Sequence, residues 1–247
     1  MATWRFHAYS TSFSYKAGRW YVSLSGVAAA FHHQRRSAEG RHPVPVGADR
    51  GVKSLIVAAG ADGTPYGSWE GVRPPRQAEA QLRRANQALA RTKQGSAGRA
   101  RAMARLAKPH KAIADQRAHV SHQASYDLAT GTTVLCTEDL AVAGMMEDHC
   151  LAKSLADAAM GEAGRRLGYK SAWYVSELHL ADRWFASSKI CSRLGHKEQH
   201  LDLSERTYRC EHCGLVIDRD LSAAINLARW PELNARAATG PPLPRAA

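Results

Sequence analysis

Two short apolar segments with strand character, separated by a long basic segment with helical spacing, constrain the fold most strongly. The first segment runs from Val44 to Gly63 and predicts two strands around a glycine-bounded turn. The second runs from Thr132 to Leu140 and predicts one buried strand. Strands that alternate with helices in this way predict an α/β protein in which helices pack on a sheet.

The basic segment covers about residues 75–130. It carries apolar side chains at near-helical spacing and is broken at Gly95–Gly98, a pattern that predicts two helices forming a hairpin. Few acidic residues interrupt the basic ones, so this face is expected to neutralise nucleic-acid phosphates, with an ordinary solvated helix face as the alternative. The residues predicted to bind nucleic acid are Arg83, Arg84, Arg91, Lys93, Arg99, Arg101, Arg105, Lys108, Lys111 and Arg117.

The rest of the chain divides by local pattern and composition. The run at Trp20–Ser25 alternates apolar and polar residues and predicts a half-buried strand of a hairpin. A helix is predicted at roughly Leu151 to Leu167, and another strand within Ser176–Trp184. The predicted divisions are a hairpin region at 1–30, a linker at 31–43, a sheet-forming core at 44–186 with the helical insertion, a cysteine-containing segment at 187–215, a last helix at 216–230 and a disordered tail at 231–247.

Charge and cysteine content narrow the function classes. Lys and Arg number 34 against 22 Asp and Glu, a net charge of +12 that indicates a polyanionic partner such as nucleic acid or an anionic membrane surface. No apolar run approaches the roughly 20 residues of a membrane helix, and the first ten residues lack a signal-peptide core, so a soluble, cytoplasmic protein is expected. Three of the five cysteines, Cys191, Cys210 and Cys213, fall close together, which predicts a metal site and not a disulfide framework.

Three acidic residues lie at the ends of predicted elements. Asp49 follows the first strand, Glu138 ends the central strand, and Asp220 lies in the first turn of the last helix. If a helix packs across neighbouring strands, these ends can converge, and three clustered carboxylates suit hard divalent cations such as Mg²⁺ or Mn²⁺. Two such ions about 4 Å apart would support phosphodiester hydrolysis. The alternative for each residue alone is a solvated turn acid or a helix cap.

Three motifs in order, VGADRGVKS, TVLCTEDLAVAGM and CEHCGLVIDRDLSAAINLAR, resemble the RuvC motifs of the TnpB family, relatives of the type V CRISPR nucleases. The resemblance implies an RNase H-like (RuvC) mixed sheet with flanking helices, and Asp49, Glu138 and Asp220 as the catalytic, metal-binding acids. The neighbouring Asp139 and Asp218 are not implied. The partners implied are DNA and a guide RNA transcribed from the transposon end, with base pairing selecting the target.

The same resemblance defines where this chain departs from its family. TnpB proteins are longer, so residues 1–30 are expected to be the last strands of an N-terminal wedge-like β-barrel, and guided cleavage is expected to be impaired by the truncation. Ser222 stands where the family usually has Asn, a change expected to loosen the surroundings of Asp220.

The resemblance also implies a zinc-ribbon-like knuckle built from two Cys-x-x-Cys pairs. Here Cys210 and Cys213 form the second pair, but the first contains Cys191 and Leu194, so His196 is the candidate for a fourth ligand beside the three cysteines. A weak or empty knuckle is the alternative.

Two main functions follow from these patterns. The first is a transposon-associated, metal-dependent DNA endonuclease. The second is a catalytically inactive nucleic-acid-binding remnant or regulator of transposition, acting through the basic helices. A poorly folded remnant and a DDE-type transposase are further alternatives, and the resemblance argues against the last of these.

Overall fold

The computed structural model describes residues 6–28, 40–72, 76–145, 147, 159–198, 201–202 and 205–239. The chain forms two compact units. The first contains residues 1–36 and 72–119, and the second contains residues 37–71 and 120–247. No helix in the described ranges is both long enough and apolar enough to cross a membrane.

The first unit contains a two-stranded hairpin and most of the basic helical segment. Strands β1 (Phe6–Lys16) and β2 (Arg19–Ala28) pair antiparallel around Ala17 and Gly18, whose φ angles are both positive, as a tight hairpin turn requires. The predicted strand is present, but its predicted half-burial is wrong. Large apolar side chains point to solvent on both strands, because the hairpin forms a sheet of only two strands. These exposed residues are Tyr9, Phe13, Tyr15, Trp20, Val22, Leu24 and Val27.

The basic segment forms two helices, as its periodicity predicts. Helix α1 spans Arg76–Ala90 and helix α2 spans Ala97–Gly131. The break between them therefore covers residues 91–96 and includes Gly95, which has a positive φ angle. Helix α2 continues into the second unit, where Ala124 and Leu128 are fully buried. In the first unit the ammonium group of Lys111 lies 5.2 Å from the centre of the Tyr21 ring, a cation–π contact between α2 and the hairpin.

The second unit is built on a five-stranded mixed sheet, which confirms the predicted α/β class. Its strands are β3 (Val46–Asp49), β4 (Ser54–Gly60), β5 (Pro65–Glu70), β6 (Val134–Glu138) and β7 (Glu177–Ala181). They are ordered β5-β4-β3-β6-β7. Strands β3, β4 and β5 pair antiparallel, whereas β3, β6 and β7 are parallel, so the carboxyl ends of these three strands share one edge.

Helices cover both faces of this sheet, and the remaining elements are short. Buried Val46 and Leu135 pack with α2 and with α4 (Met160–Tyr174) on one face, while α5 (Arg219–Thr239) packs against β3, β4 and β6 on the other. The short elements are α3 (Val142–Met145), a 3₁₀ turn at Ser187–Lys189, and the antiparallel strands β8 (Thr207–Arg209) and β9 (Val216–Asp218).

Several predicted boundaries change. The helix predicted at Leu151 to Leu167 is found at Met160–Tyr174, and residues 151–158 lie outside the described ranges. The tail predicted to be disordered from residue 231 is helical to Thr239, because Pro231 is followed by a run of good helix formers. Most of the predicted linker, up to residue 39, and residues 240–247 lie outside the described ranges.

Candidate active site and thiol cluster

Strand register brings Asp49 and Glu138 to one edge of the sheet. In the parallel pair β3–β6, Ala48 is the register partner of Thr137, and the Thr137 hydroxyl donates a hydrogen bond of 2.8 Å to the Ala48 carbonyl oxygen. Asp49 and Glu138 are the next residues on their strands and end them. The two predicted acids are therefore neighbours at the carboxyl ends of adjacent strands, where parallel sheets commonly place sites.

A glycine allows the last helix to approach this edge. A Cβ atom built on Gly47 would lie 1.9 Å from the Ala224 carbonyl oxygen and 2.4 Å from the Ala228 nitrogen, so the α5 backbone rests directly on β3. Asp220 lies one helical turn before Ala224. This close packing carries Asp220 toward the end of β3. The three residues Asp49, Glu138 and Asp220 are called the acid edge below.

The charges of Glu138 and Asp220 act on the Asp49 carboxyl group. Burial raises the pKa of the Asp49 carboxyl well above its ordinary value, and the negative charges of Glu138 and Asp220 raise it further. The positive charges of Arg219 and Arg50 act in the opposite direction. A bound cation would relieve this mutual repulsion, because an opposite charge favours the ionised form of each carboxyl group.

The acids next to the acid edge have other partners. The Asp218 carboxylate caps α5 by accepting hydrogen bonds from the backbone N–H groups of Asp220, at 2.9 Å, and Leu221, at 3.2 Å. Asp139 forms an exposed ion pair of 2.8 Å with Arg183. The structure therefore assigns the capping role to Asp218, so the helix-cap alternative does not account for Asp220.

Within the described ranges the carboxylate oxygens of the acid edge do not all lie within 4.8 Å of one another, as the ligand atoms of a single metal ion would. The only group of three or more His, Cys, Asp or Glu side chains there whose ligand atoms all lie within 4.8 Å of one another is formed by Cys191, Cys210 and Cys213. The three carboxylates share an edge and an electrostatic field, but they stand further apart than these thiols.

A buried arginine, which the sequence analysis missed, ties the two strand ends together. Arg50 donates one hydrogen bond to the backbone carbonyl of Glu138 and another, of 3.3 Å, to that of Met160. Burial lowers the pKa of its guanidinium group, whereas the charges of Glu138 and Asp49 raise it. A Cβ atom on Gly164 would lie 2.1 Å from Nη1 of Arg50, so a larger residue there would displace the Arg50 guanidinium group. A basic residue directly after a strand-end acid was the available signal.

Ser222 is completely buried, and its hydroxyl has no hydrogen-bond partner in the described part of the chain. A buried hydroxyl without a partner is destabilising. The predicted loosening of Asp220 by this residue stays a prediction.

The three predicted cysteines come together; we call Cys191, Cys210 and Cys213 the thiol cluster. The sulfur atoms of Cys191 and Cys213 are 3.7 Å apart, and Tyr208 and Leu215 pack around the group. Burial opposes ionisation of Cys191, but hydrogen bonds from backbone N–H groups lower its pKa on balance, the Leu194 N–H lying 3.5 Å from the sulfur. The ligand atoms of the three thiols all lie within 4.8 Å of one another, close enough to hold one metal ion.

The fourth position of the thiol cluster is not filled by the predicted residue. Leu194 is 56% exposed. The His196 backbone carbonyl accepts a hydrogen bond of 2.7 Å from the Cys191 N–H, but its imidazole lies outside the group of ligand atoms. The His196 ring instead packs edge-on against the His212 ring, with centroids 4.0 Å apart. The structure therefore places two imidazoles beside the cluster and neither inside it.

The predicted nucleic-acid-binding residues lie on α1, α2 and their connection. Arg99, Lys111 and Arg117 are partly buried, and Lys111 forms an ion pair with Asp115. Between the two helices runs an open cleft that is floored by alanines and lined by arginines from both. The exposed members of the predicted set are Arg83, Arg84, Arg91, Lys93, Arg101, Arg105 and Lys108.

Comparisons with known proteins agree with the motif order. A family model described as "Probable transposase" (OrfB, IS605) matches residues 31–148, which include Asp49 and Glu138, and a Cas12f1-like TNB domain model matches residues 161–227, which include Asp220. A protein of Streptomyces pristinaespiralis named "Putative RNA-guided DNA endonuclease" is 34% identical over 212 residues. The chain belongs to the TnpB family. The resemblance inferred from the three motifs is thereby confirmed.

The match to these TnpB-family relatives covers only part of each relative's length. The alignment to the Streptomyces protein covers 86% of this chain and 50% of that protein. A Mycobacterium tuberculosis protein with the same description is 36% identical over 193 residues, covering 76% of this chain and 42% of the relative. The chain thus spans about half the length of the curated relatives it matches.

A solved structure also resembles this fold. Cas12f1 in complex with sgRNA and target DNA matches with a TM-score of 0.50 and 17% sequence identity, covering 87% of this chain and 55% of that one. At this identity the likeness concerns the fold alone.

Proposed function

We propose that this TnpB-family chain is a Mg²⁺- or Mn²⁺-dependent DNA endonuclease with a RuvC-like fold, and that Asp49, Glu138 and Asp220 are its metal ligands. The observation that carries the proposal is the electrostatic coupling of Asp49 to both other acids at one edge of the sheet. Three carboxylates that repel one another are a suitable donor set for hard divalent cations. The mixed sheet with α5 packed against β3 is compatible with the RNase H-like topology.

The bound metal ions and the residues around them would then have separate roles. The bound ions would activate water and stabilise the leaving oxygen of a phosphodiester. Arg50 holds the Glu138 backbone beside Asp49, and Asp218 caps the start of α5, so the Asp220 carboxylate is not used as the cap and lies 4.0 Å from the Arg219 guanidinium. An open cleft beside Asp220, lined by Lys53 and Tyr66 among others, offers an approach for a nucleic-acid strand.

The thiol cluster fits a structural zinc ion in three of four positions. Cys191, Cys210 and Cys213 supply thiolates, and zinc in structural sites takes four ligands. His196 is the proposed fourth ligand, which requires its ring to turn from His212 toward the sulfur atoms. On this proposal residues 187–215 form a zinc-ribbon-like insertion that precedes the last helix.

The proposed nucleic-acid partners are DNA and a transposon-derived guide RNA. The relatives' names describe RNA-guided DNA endonucleases, and the Cas12f1 structure contains a guide RNA and target DNA. In this chain the exposed arginines on both sides of the α1–α2 cleft supply the positive charge for backbone contacts. Action in the cytoplasm and origin of residues 1–30 in a β-barrel stay predictions.

Cleavage by the purified full chain tests the proposal. Labelled single-stranded DNA and an RNA–DNA heteroduplex are incubated with Mg²⁺ or Mn²⁺, using wild type, Asp49→Ala and the matched control Asp139→Ala. We expect cutting by wild type and by Asp139→Ala, because the Asp139 carboxylate is already paired with Arg183, and loss of cutting in Asp49→Ala. Folded protein that binds nucleic acid without cutting it would contradict the proposal and favour the inactive binding protein.

A further inference from the structure

The glutamate of the acid edge has a side-chain partner that none of the three motifs contains. The Ser187 hydroxyl donates a hydrogen bond to Oε1 of Glu138. Ser187 is 2% exposed and begins the 3₁₀ turn that follows β7. We infer that Ser187 is a positioning residue for the Glu138 carboxylate and that Asn226 holds Ser187 in place. This inference rests on the proposed nuclease function.

Asn226 anchors the turn that carries Ser187. Its side-chain amide donates hydrogen bonds of 2.8 Å to the Ser187 carbonyl oxygen and 2.7 Å to the Ile190 carbonyl oxygen. An asparagine amide has two N–H groups, so both are used on this turn. Asn226 is 4% exposed and lies on α5, the helix that also carries Asp220. One helix therefore places one acid directly and fixes another through the turn.

The hydrogen bond from Ser187 is needed because strand pairing does not fix the Glu138 side chain. Strand pairing fixes the Glu138 backbone, but the glutamate side chain retains three rotatable bonds with which to turn its carboxylate away. A hydrogen bond to Oε1 holds one oxygen and leaves Oε2 for a metal ion. Hydrogen-bonded partners of metal-ligating carboxylates act in this way, and their removal typically reduces metal affinity or activity about 10- to 100-fold.

The same turn adjoins the thiol cluster. Ile190, whose carbonyl Asn226 holds, directly precedes Cys191. Asn226 therefore restrains the chain at the point where it passes from the acid edge to the thiol cluster.

Serine variants test the role of Ser187 in the full chain. We expect Ser187→Ala to lower the cleavage rate at saturating DNA about 10- to 100-fold and to raise the Mg²⁺ concentration for half-maximal cleavage, with the KM for DNA unchanged. Ser187→Thr keeps the hydroxyl and is expected to recover most of the rate. Ser188→Ala, a change of the adjacent residue, is the matched control and is expected to behave as wild type.

A second readout does not depend on cleavage. Mn²⁺ binding is measured calorimetrically in wild type, Ser187→Ala and Asn226→Asp, which keeps the size of Asn226 but cannot donate to both carbonyls. We expect weaker Mn²⁺ binding in both variants. Wild-type Mn²⁺ affinity and cleavage in Ser187→Ala would overturn this inference and leave the nuclease proposal standing. A wild-type chain that neither cuts nor binds Mn²⁺ through Asp49 would overturn both.

Discussion

The acid edge and the thiol cluster are both candidate metal sites, yet the structure assembles them to different degrees. The three thiols lie within 4.8 Å of one another, whereas the three carboxylates do not gather this closely. Thiols are mostly neutral at pH 7 and pack together without repulsion, whereas ionised carboxylates repel; burial raises the pKa of Asp49, and the charges of Glu138 and Asp220 raise it further. The two sets of ligands thus differ in charge as well as in spacing.

The supports of the two groups differ as well. The acid edge is held by a five-stranded sheet and two covering layers of helices, so its framework does not require a metal ion. The thiol cluster is surrounded by two strands of three residues each and a few apolar side chains. A segment this small commonly depends on its metal for stability. We therefore expect metal at the acid edge to control chemistry and metal at the thiol cluster to control folding.

The largest expected effect is on cleavage by Asp49→Asn. Loss of this ligand is expected to slow cutting by about 10³-fold, which corresponds to about 4 kcal/mol in activation free energy. The melting temperature is expected to stay the same or rise, since the change removes a half-buried carboxyl group whose charged form is disfavoured by desolvation and by two neighbouring acids. Calorimetry beside the cleavage assay checks both parts. A lower melting temperature would mean that the acid edge also supports the fold.

For Cys213→Ser, by contrast, the main expected effects are on zinc content and on stability. Removing one thiolate is expected to reduce bound zinc to well below one ion per chain and to lower the free energy of unfolding by at least about 3 kcal/mol. Zinc analysis and denaturant titration measure these changes. Cys136→Ala, which removes a thiol buried in β6, is the control for zinc content and should keep its zinc. Equal zinc content in wild type and Cys213→Ser would refute the cluster as a zinc site.

A smaller effect distinguishes the ligands at the fourth position. Leu194→Cys is expected to raise zinc affinity about tenfold or more, equal to about 1.4 kcal/mol, because it completes two Cys-x-x-Cys pairs. His196→Ala is expected to weaken zinc binding in the wild-type background and to have no effect in the Leu194→Cys background. Competition with a chelator measures each affinity. An effect of His196→Ala that is equal in both backgrounds would exclude His196 as the fourth ligand.

The smallest effect concerns an ion pair in α4 outside both groups. Hydrogen bonding from Arg165, assisted by the charges of Arg166 and Arg165, lowers the pKa of Glu162 to about 2. A depressed folded-state pKa stabilises the protein above the unfolded pKa of about 4.3, and this contribution is lost as the pH falls toward 2. Because the Arg165 and Glu162 side chains are 63% and 37% exposed, solvent screens their ion pair, and Glu162→Gln is expected to reduce stability by under about 1 kcal/mol.

Denaturant titrations of wild type and Glu162→Gln at pH 7 and pH 3 check this expectation. The difference between the two proteins should be present at pH 7 and smaller at pH 3. A difference that grows on acidification would contradict the assigned direction of the pKa shift.

Local sequence pattern predicted the strands and the helix that carry the acid edge better than the residues that hold these elements in place. The apolar runs ending at Asp49 and Glu138 and the periodic helix after Asp220 are local signals, and all three elements are found. Strand β5 was missed, because PYGSWE contains a proline and a glycine and lacks clear alternation.

Arg50 and Asn226, which hold the acid edge in place, were not predicted, and the reason is different. The partners of Arg50 lie 88 and 110 residues away, and Asn226 reaches back 39 and 36 residues, distances over which composition and spacing give no signal. His196 has metal-ligand spacing, but its side-chain direction depends on the neighbouring His212 ring.

The pairing of β3 with β6 also sets an order of events during synthesis. Ala48 and Thr137, which are hydrogen-bonded across this pair, are 89 residues apart. At 5–20 residues per second, a ribosome needs roughly 5–20 s to make the chain between them, and during this time Asp49 has no neighbouring strand on the β6 side. A message broken within this interval therefore yields a product that lacks the paired strands on which cleavage would depend.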